Sequence, residues 1–299
     1  MVSKRAFFVD IYSGEQLKKY TTLFSVIWAT APILAPFLGG YFQTTWGWAS
    51  NFIFLGLFGL VFFAIELAIG GETMKVAQPF SPRSILGIYG NMLKTWDFTS
   101  GLIILGLSYA MVLLYGMCSP FLIEHRLHFS PTITGYCSLF SGVSVLIGGT
   151  VSRMLVQKPL VKKMVIASSL QLVTVALMIP LTAYYQNLFT LMVYVFLLHS
   201  LAGFIFNNLL SYCLIRFPQH AGKGSGLVGG GFSVVTSVLS SLLVNTLTIT
   251  SQSILGVAYA VLAILVFVLL TKTNWNEGKE KGANEKPAPE KTSTIRAVA

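Results

Sequence analysis

Eight apolar stretches, each long enough to cross a lipid bilayer, dominate this chain and leave it one class of fold. They run over residues 20–42, 50–69, 99–122, 131–155, 164–184, 189–215, 224–247 and 252–270. A helix needs about 20 apolar residues to span the hydrocarbon core. Inside lipid each backbone amide and carbonyl must find its partner within the protein, which a helix does by itself. The junctions GWAS, YYQN and TITSQS are so short that the helices they join must run antiparallel. An all-α membrane protein with eight transmembrane helices is the expected fold. Composition agrees: of 299 residues 54% are hydrophobic and 10% charged, and the mean hydropathy is +0.73. A water-soluble domain carries roughly a quarter charged residues to hydrate its surface.

The formal net charge is +10, which raises the question of nucleic acid. Its basic residues, however, are scattered between apolar blocks and form no stripe that could follow a phosphate backbone. Their placement carries a different message. With successive blocks crossing in alternate directions, every Lys and Arg of the 20 except Arg126 falls on the same side. By the positive-inside rule that side is the cytoplasm, and both termini lie there. The start, MVSKRAFFVDIYSGEQ, lacks the long apolar core of a cleavable signal. Cys118, Cys137 and Cys213 all sit within apolar blocks, an odd number without the spacing of a zinc site or a disulfide framework.

The longest polar break, 70–98, contains Pro79, Pro82 and a basic set. It is expected to be a central cytoplasmic loop dividing a first unit, 1–69, from a six-helix bundle, 99–271. Residues 272–299 are rich in Lys, Glu, Pro and Gly and are expected to be a disordered cytoplasmic tail. The segment KRAFFVDIY is too short to span and reads as the end of a helix.

The run Ala31-Pro32-Ile33-Leu34-Ala35-Pro36-Phe37-Leu38-Gly39-Gly40 places small residues four apart, a pattern that lets helices approach closely. Its paired prolines bend the axis and free carbonyls. This run resembles the antiporter signature on the fifth helix of drug:proton antiporters of the major facilitator superfamily, in the form with Ala for the first two glycines that marks the Bcr/CflA drug-resistance branch. KRAFFVDIYSGEQ, with Arg5, Asp10 and Gly14, is similar to that branch's fourth-helix end. SPFLIEHRLHFSPTITGYCSLFSGVSVLIGG and FPQHAGKGSGLVGG resemble its junctions between helices seven and eight and between ten and eleven. The resemblance covers residues 4–270.

The resemblance implies a major facilitator fold lacking its first three to four helices, with the eight blocks equivalent to helices five to twelve. For the full-length protein it further implies a monomer in the bacterial inner membrane that exports small lipophilic drugs in exchange for protons, without a cofactor; this chain by itself is expected to be an incomplete, inactive part of it. The alternative is a non-transporting remnant or partial subunit of such a transporter. Residues 31–40 would supply the antiporter motif through Ala31, Pro32, Ala35, Pro36, Gly39 and Gly40. Arg5, Asp10, Gly149 and Arg153 would belong to the gating ends and loops. At the position of the gate motif's acid this chain has Ser152, and a plain positive-inside loop accounts for the same residues.

Ionisable groups at membrane depth are costly and usually functional. Glu66 and His199 are therefore the candidates for proton coupling, although Glu66 lies near a helix end and His199 reads equally as a hydrogen-bonded packing residue. Glu124, His125, Arg126 and His128 read as a solvated cluster at an outer loop. Two adjacent amides, Asn207 and Asn208, need partners or a wet cavity. Together with Trp28, Tyr109, Tyr115 and Phe204 they are the expected substrate-cavity residues, each also explicable as helix packing.

Chemistry of other kinds finds no footing. Gly224-Ser225-Gly226-Leu227-Val228-Gly229 has the spacing of a dinucleotide loop but opens a membrane helix and follows no strand. The neighbouring Gly222-Lys223-Gly224-Ser225 lacks the Ser or Thr after Lys that a phosphate loop requires. No hydrolase constellation is present, so an enzyme is not expected.

Overall fold

The computed structural model describes residues 16, 34, 35, 37–70, 82–217 and 221–275, and among them all regular structure is helical. A helix ending at 37–46 is α1. It is followed by α2 (Ala49–Ile69), α3 (Pro82–Lys94), α4 (Trp96–Pro120), α5 (Pro131–Met154), α6 (Leu160–Tyr184), α7 (Leu188–Ile215), α8 (Ala221–Leu247) and α9 (Gln252–Lys272). One turn of π-helix, Phe121–Arg126, prolongs α4. Seven of the described helices, α2 and α4 to α9, are long and apolar enough to cross a membrane. They match the expected blocks; of the block at 20–42, only the end falls on described residues.

Local chemistry sets several boundaries. Pro131 occupies the first turn of α5, where its missing N–H costs nothing. Asn187 caps α7: its Oδ1 accepts from the Thr190 amide at 2.9 Å, and Thr190 answers in a capping box. Ser251 caps α9 by accepting from the Ile254 amide. The Gln252 side chain donates to the Asn187 carbonyl at 2.9 Å, so the starts of α7 and α9 are tied together. Gly47, at φ +79°, makes the turn between α1 and α2, a backbone conformation that favours glycine.

Two expectations are modified. Within the segment expected to be a loop lies α3, whose Ile85, Ile88 and Tyr89 are half-buried while Met92 is 1% exposed. It packs beside the start of α8. The apolar block expected at 99–122 also grows at both ends, to Trp96 and Arg126. Asp97 can enter the helix because its charge is neutralised by a partner on α7.

Helices α4 to α9 form one bundle, in which α5 packs on α7, α6 on α9, and α4 on both α7 and α8. Lipid tails are as apolar as leucine, so such helices associate through close packing and interhelical hydrogen bonds. Glycine provides the first. A methyl at Gly148 would strike the Ser200 carbonyl, and one at Gly203 would strike the Val145 carbonyl, so the α5–α7 crossing is a contact of backbones. Gly106 and Gly231 make room between α4 and α8 for the side chains of Val235 and Leu102. Thr236 adds the second, donating to the Gly106 carbonyl at 2.9 Å.

By contrast, α2 has no buried residue. It is held at its start, where Asn51 donates to the Gly39 carbonyl at 3.2 Å, Ser50 donates to that of Phe42, and Phe54 meets Phe42.

Candidate functional site

Three aromatic rings from three helices meet near the middle of the bundle. Tyr109 of α4, Phe206 of α7 and Phe232 of α8 lie with ring centroids 5.3–5.9 Å apart. Asn207 and Asn208 follow Phe206 directly. Each side chain donates to the carbonyl four residues back, Asn207 to Gly203 at 2.9 Å and Asn208 to Phe204 at 2.8 Å. The amides thus spend one donor locally and keep further polar capacity. Asn207 lies over Gly149, where a Cβ would come within 2.8 Å of its Nδ2. Phe204 is 7% exposed and packs into the core. Of the expected cavity residues, Tyr109 joins the aromatic cluster with Phe206 and Phe232, while Phe204, Asn207 and Asn208 lie on α7 beside Phe206 in the chain, with Asn207 turned to Gly149 of α5.

Tyr115 stands elsewhere. It is 1% exposed and sets its ring against His199 at 5.4 Å, inside the bundle and not on an open wall. His199 is itself fully enclosed. Its Nδ1 bonds Ser141 Oγ at 2.8 Å and its Nε2 bonds the Tyr259 hydroxyl at 3.2 Å, which links α5, α7 and α9 through one imidazole. Nearby, the wholly buried Gln171 donates to Met111 Sδ at 3.5 Å. Gln171 was legible in principle as a polar residue within an apolar block. Among the described residues Glu66, on the exposed α2, lies at its own helix end beside Gly70.

The end of the small-residue run packs against the start of α5. A Cβ on Gly40 would come within 2.7 Å of the Pro131 carbonyl and 3.3 Å of the Gly135 Cα. Thr44 Oγ1 bonds Thr132 Oγ1 at 2.8 Å, and Phe37 meets Tyr136 at 5.3 Å. Between α1 and the ends of α4 and α5 remains a cleft of about 260 Å³. Gly39 and Gly40 line it, while Ala35 is exposed. Trp28, Ala31, Pro32, Pro36, Arg5 and Asp10 lie outside the described residues. Gly149 is buried against α7, and Arg153 is exposed at the far end of α5.

That far end carries a site which sequence reasoning missed. Asp97, 6% exposed, accepts from Arg216 Nε at 2.9 Å, from the Tyr212 hydroxyl at 2.7 Å and from the Phe98 amide at 2.8 Å. Trp275 packs on Tyr212, and Trp96, Asp97, Arg216, Asn274 and Trp275 line an open pocket of about 460 Å³. Arg216 counts in the sequence only as one more basic residue, and nothing local links it to an acid so far away in the chain.

A six-helix bundle packed at glycine crossings, with α1 and α2 beside it, is the architecture of a multi-pass helical membrane protein. Residues 1–241 match the family model described as Major Facilitator Superfamily, and the chain belongs to that family of membrane transporters. It is 24% identical over 284 residues to the uncharacterized MFS-type transporter YdgK of Bacillus subtilis, covering 91% of this chain and 69% of that one. It is 23% identical to the bicyclomycin resistance protein homolog of Haemophilus influenzae, over 89% of this chain and 68% of the relative. It is 26% identical to multidrug resistance protein D of Escherichia coli, over 86% and 64% respectively. The chain thus spans about two thirds of the length of these relatives.

Proposed function

We propose that this chain exports lipophilic drugs across the bacterial inner membrane by proton antiport, with both termini in the cytoplasm and the monomer as the working unit. The observation that carries the reading is the cluster of Tyr109, Phe206 and Phe232 inside the bundle, with the amides of Asn207 and Asn208 on the same helix as Phe206. Aromatic faces accept apolar or cationic guests of varied shape, and the two amides supply orienting polar contacts. Family relatives named for bicyclomycin and multidrug resistance support the same substrate class. In transporters assembled from helical repeats, rocking of one bundle against the other exposes a midplane site alternately to each side. The Gly40–Pro131 contact is suited to that motion, because backbones meeting without intervening side chains can slide. Gly149 and Arg153 belong to the gate loop in this reading. His199, bonded through both ring nitrogens, serves as a packing group, and Glu66 faces outward from α2.

The test is ethidium export by the full chain in proteoliposomes under an imposed pH gradient, with Asn208→Ala and Phe232→Ala alongside. Gradient-dependent export, abolished by an uncoupler and reduced about tenfold by the substitutions, supports the proposal. A correctly inserted, folded chain that moves neither drug nor protons overturns it in favour of a non-transporting partial subunit.

A further inference from the structure

The open pocket of about 460 Å³ has no part in the transport reading. Trp96 and Asp97 reach it from the start of α4, Arg216 from the end of α7, and Asn274 and Trp275 from just past α9. Its parts are fixed in advance. Asp97 Oδ2 accepts from Arg216 Nε and from the Tyr212 hydroxyl, while Oδ1 accepts from the Phe98 amide. Both carboxylate oxygens are therefore engaged, and their charge is set against Arg216. Trp275 is held by its indole N–H, which donates to the Leu270 carbonyl at 3.0 Å, and its ring meets Tyr212 at 5.4 Å.

What remains unused on this wall is a set of donors. A guanidinium carries five N–H groups, and the bond to Asp97 takes only the one on Nε. The terminal nitrogens of Arg216, whose side chain is 21% exposed, have no acceptor among the described residues. Neither the indole N–H of the exposed Trp96 nor the side-chain amide of Asn274 donates a hydrogen bond there. The surroundings are positive. Lys94, in the last turn of α3, stands two residues before Trp96, and Lys272, in the last turn of α9, two before Asn274. Both lysines are exposed. With the charges of Asp97 and Arg216 offsetting one another, the pocket favours an anion.

The setting selects the anion. The pocket lies where three membrane-crossing helices end, and tryptophan collects at the boundary between hydrocarbon and water. Basic pockets between transmembrane helices on the cytoplasmic side bind phospholipid head groups. The planar fork of an arginine matches a phosphate with paired N–H donors.

We propose that this pocket receives the phosphate of an anionic phospholipid from the cytoplasmic leaflet. Arg216 grips it through its terminal nitrogens, Trp96 and Asn274 add donors, and Lys94 and Lys272 supply the surrounding charge. The choice of leaflet rests on the orientation proposed above. Binding itself requires neither a gradient nor transport, so failure of the export test leaves it standing.

The test is native mass spectrometry of the purified, delipidated full chain in detergent, titrated with dioleoyl phosphatidylglycerol. Dioleoylglycerol is the comparison without phosphate, and inorganic phosphate the competitor without acyl chains. Phosphatidylglycerol is expected to bind at least tenfold more tightly than dioleoylglycerol, and equimolar inorganic phosphate to leave it in place. Arg216→Lys keeps a cation beside Asp97 but loses the planar fork, and weakens the phospholipid about fivefold. A second variant guards against loss of fold: the exposed pair Lys94→Gln/Lys272→Gln weakens it about tenfold. Unchanged binding in folded Arg216→Lys or in the lysine pair overturns the proposal. Equal affinity for dioleoylglycerol overturns the phosphate as the group recognised, and displacement by equimolar inorganic phosphate overturns the phospholipid as its source.

Discussion

The carboxylate of Asp97 is held by Arg216, 119 residues further along the chain, at 2.9 Å. The pair fastens the start of α4 to the end of α7, and the Tyr212 hydroxyl shares the same carboxylate oxygen. A nearly enclosed ion pair contributes little over a well-packed apolar replacement, yet losing one partner alone costs about 3–5 kcal/mol. Arg216→Met therefore lowers thermal stability in detergent by several degrees. Removing all three groups together (Asp97→Leu, Arg216→Met, Tyr212→Phe) costs less than Arg216→Met alone. Additive losses would show that the three act independently.

The glycines at the α5–α7 crossing make a sharper prediction. A methyl at Gly148 or Gly203 meets a backbone carbonyl that cannot step aside, and overpacking of this kind costs typically 1–3 kcal/mol. Gly148→Ala and Gly203→Ala reduce the yield of monodisperse protein on size exclusion. Gly56→Ala, where a Cβ meets nothing within 4 Å, leaves it unchanged.

If His199 is a packing group, its variants behave like those of a buried hydrogen-bond network. Tyr259→Phe and Ser141→Ala each remove one partner of the imidazole, and leaving a buried polar group unsatisfied costs about 1–3 kcal/mol. Both variants lose stability to that extent, while the pH profile of export keeps its shape. A displaced pH profile at unchanged stability would return His199 to the proton path.

Thr44 and Thr132 offer a lock between the two units. Their hydroxyls are 2.8 Å apart, so a Thr44→Cys/Thr132→Cys pair in a background without the three native cysteines closes under mild oxidation. The cross-link is expected to stop ethidium export, and reduction to restore it. Export persisting at full cross-linking would mean that this contact need not open during transport.

Much of the architecture is legible along the chain because apolar length is a local property. The blocks at 164–184, 189–215 and 252–270 coincide within several residues with α6, α7 and α9. The small spacing of the run at 31–40 is readable too, and its Gly40 packs on Pro131 and Gly135 of α5. Other features depend on the register of distant helices. The spacing of Ile85, Ile88, Tyr89 and Met92 is helical, but α3 is too short and too polar to announce itself beside seven membrane spans. Tyr109 and Phe232 could be named individually, whereas their meeting with Phe206 needs α4, α7 and α8 to be packed first. Tyr115 and Tyr109 lie six residues apart on one helix, and only the packed bundle separates the enclosed ring from the half-exposed one. Asp97 passed unnoticed because the residue that makes it tolerable is on another helix.

The bare sides of α2 have a consequence for how this molecule must be handled. At 21 residues the helix is about 31 Å long, close to the thickness of the hydrocarbon layer. Among the described residues its packing partners are confined to the turn at one end. Where acyl chains lie against its sides they take over lateral contacts that protein supplies within the bundle, and the surrounding amphiphile then matters to this helix. Amphiphiles of different chain length therefore amount to different constructions of the same sequence at this helix, while the glycine-locked bundle beside it stays indifferent to the choice.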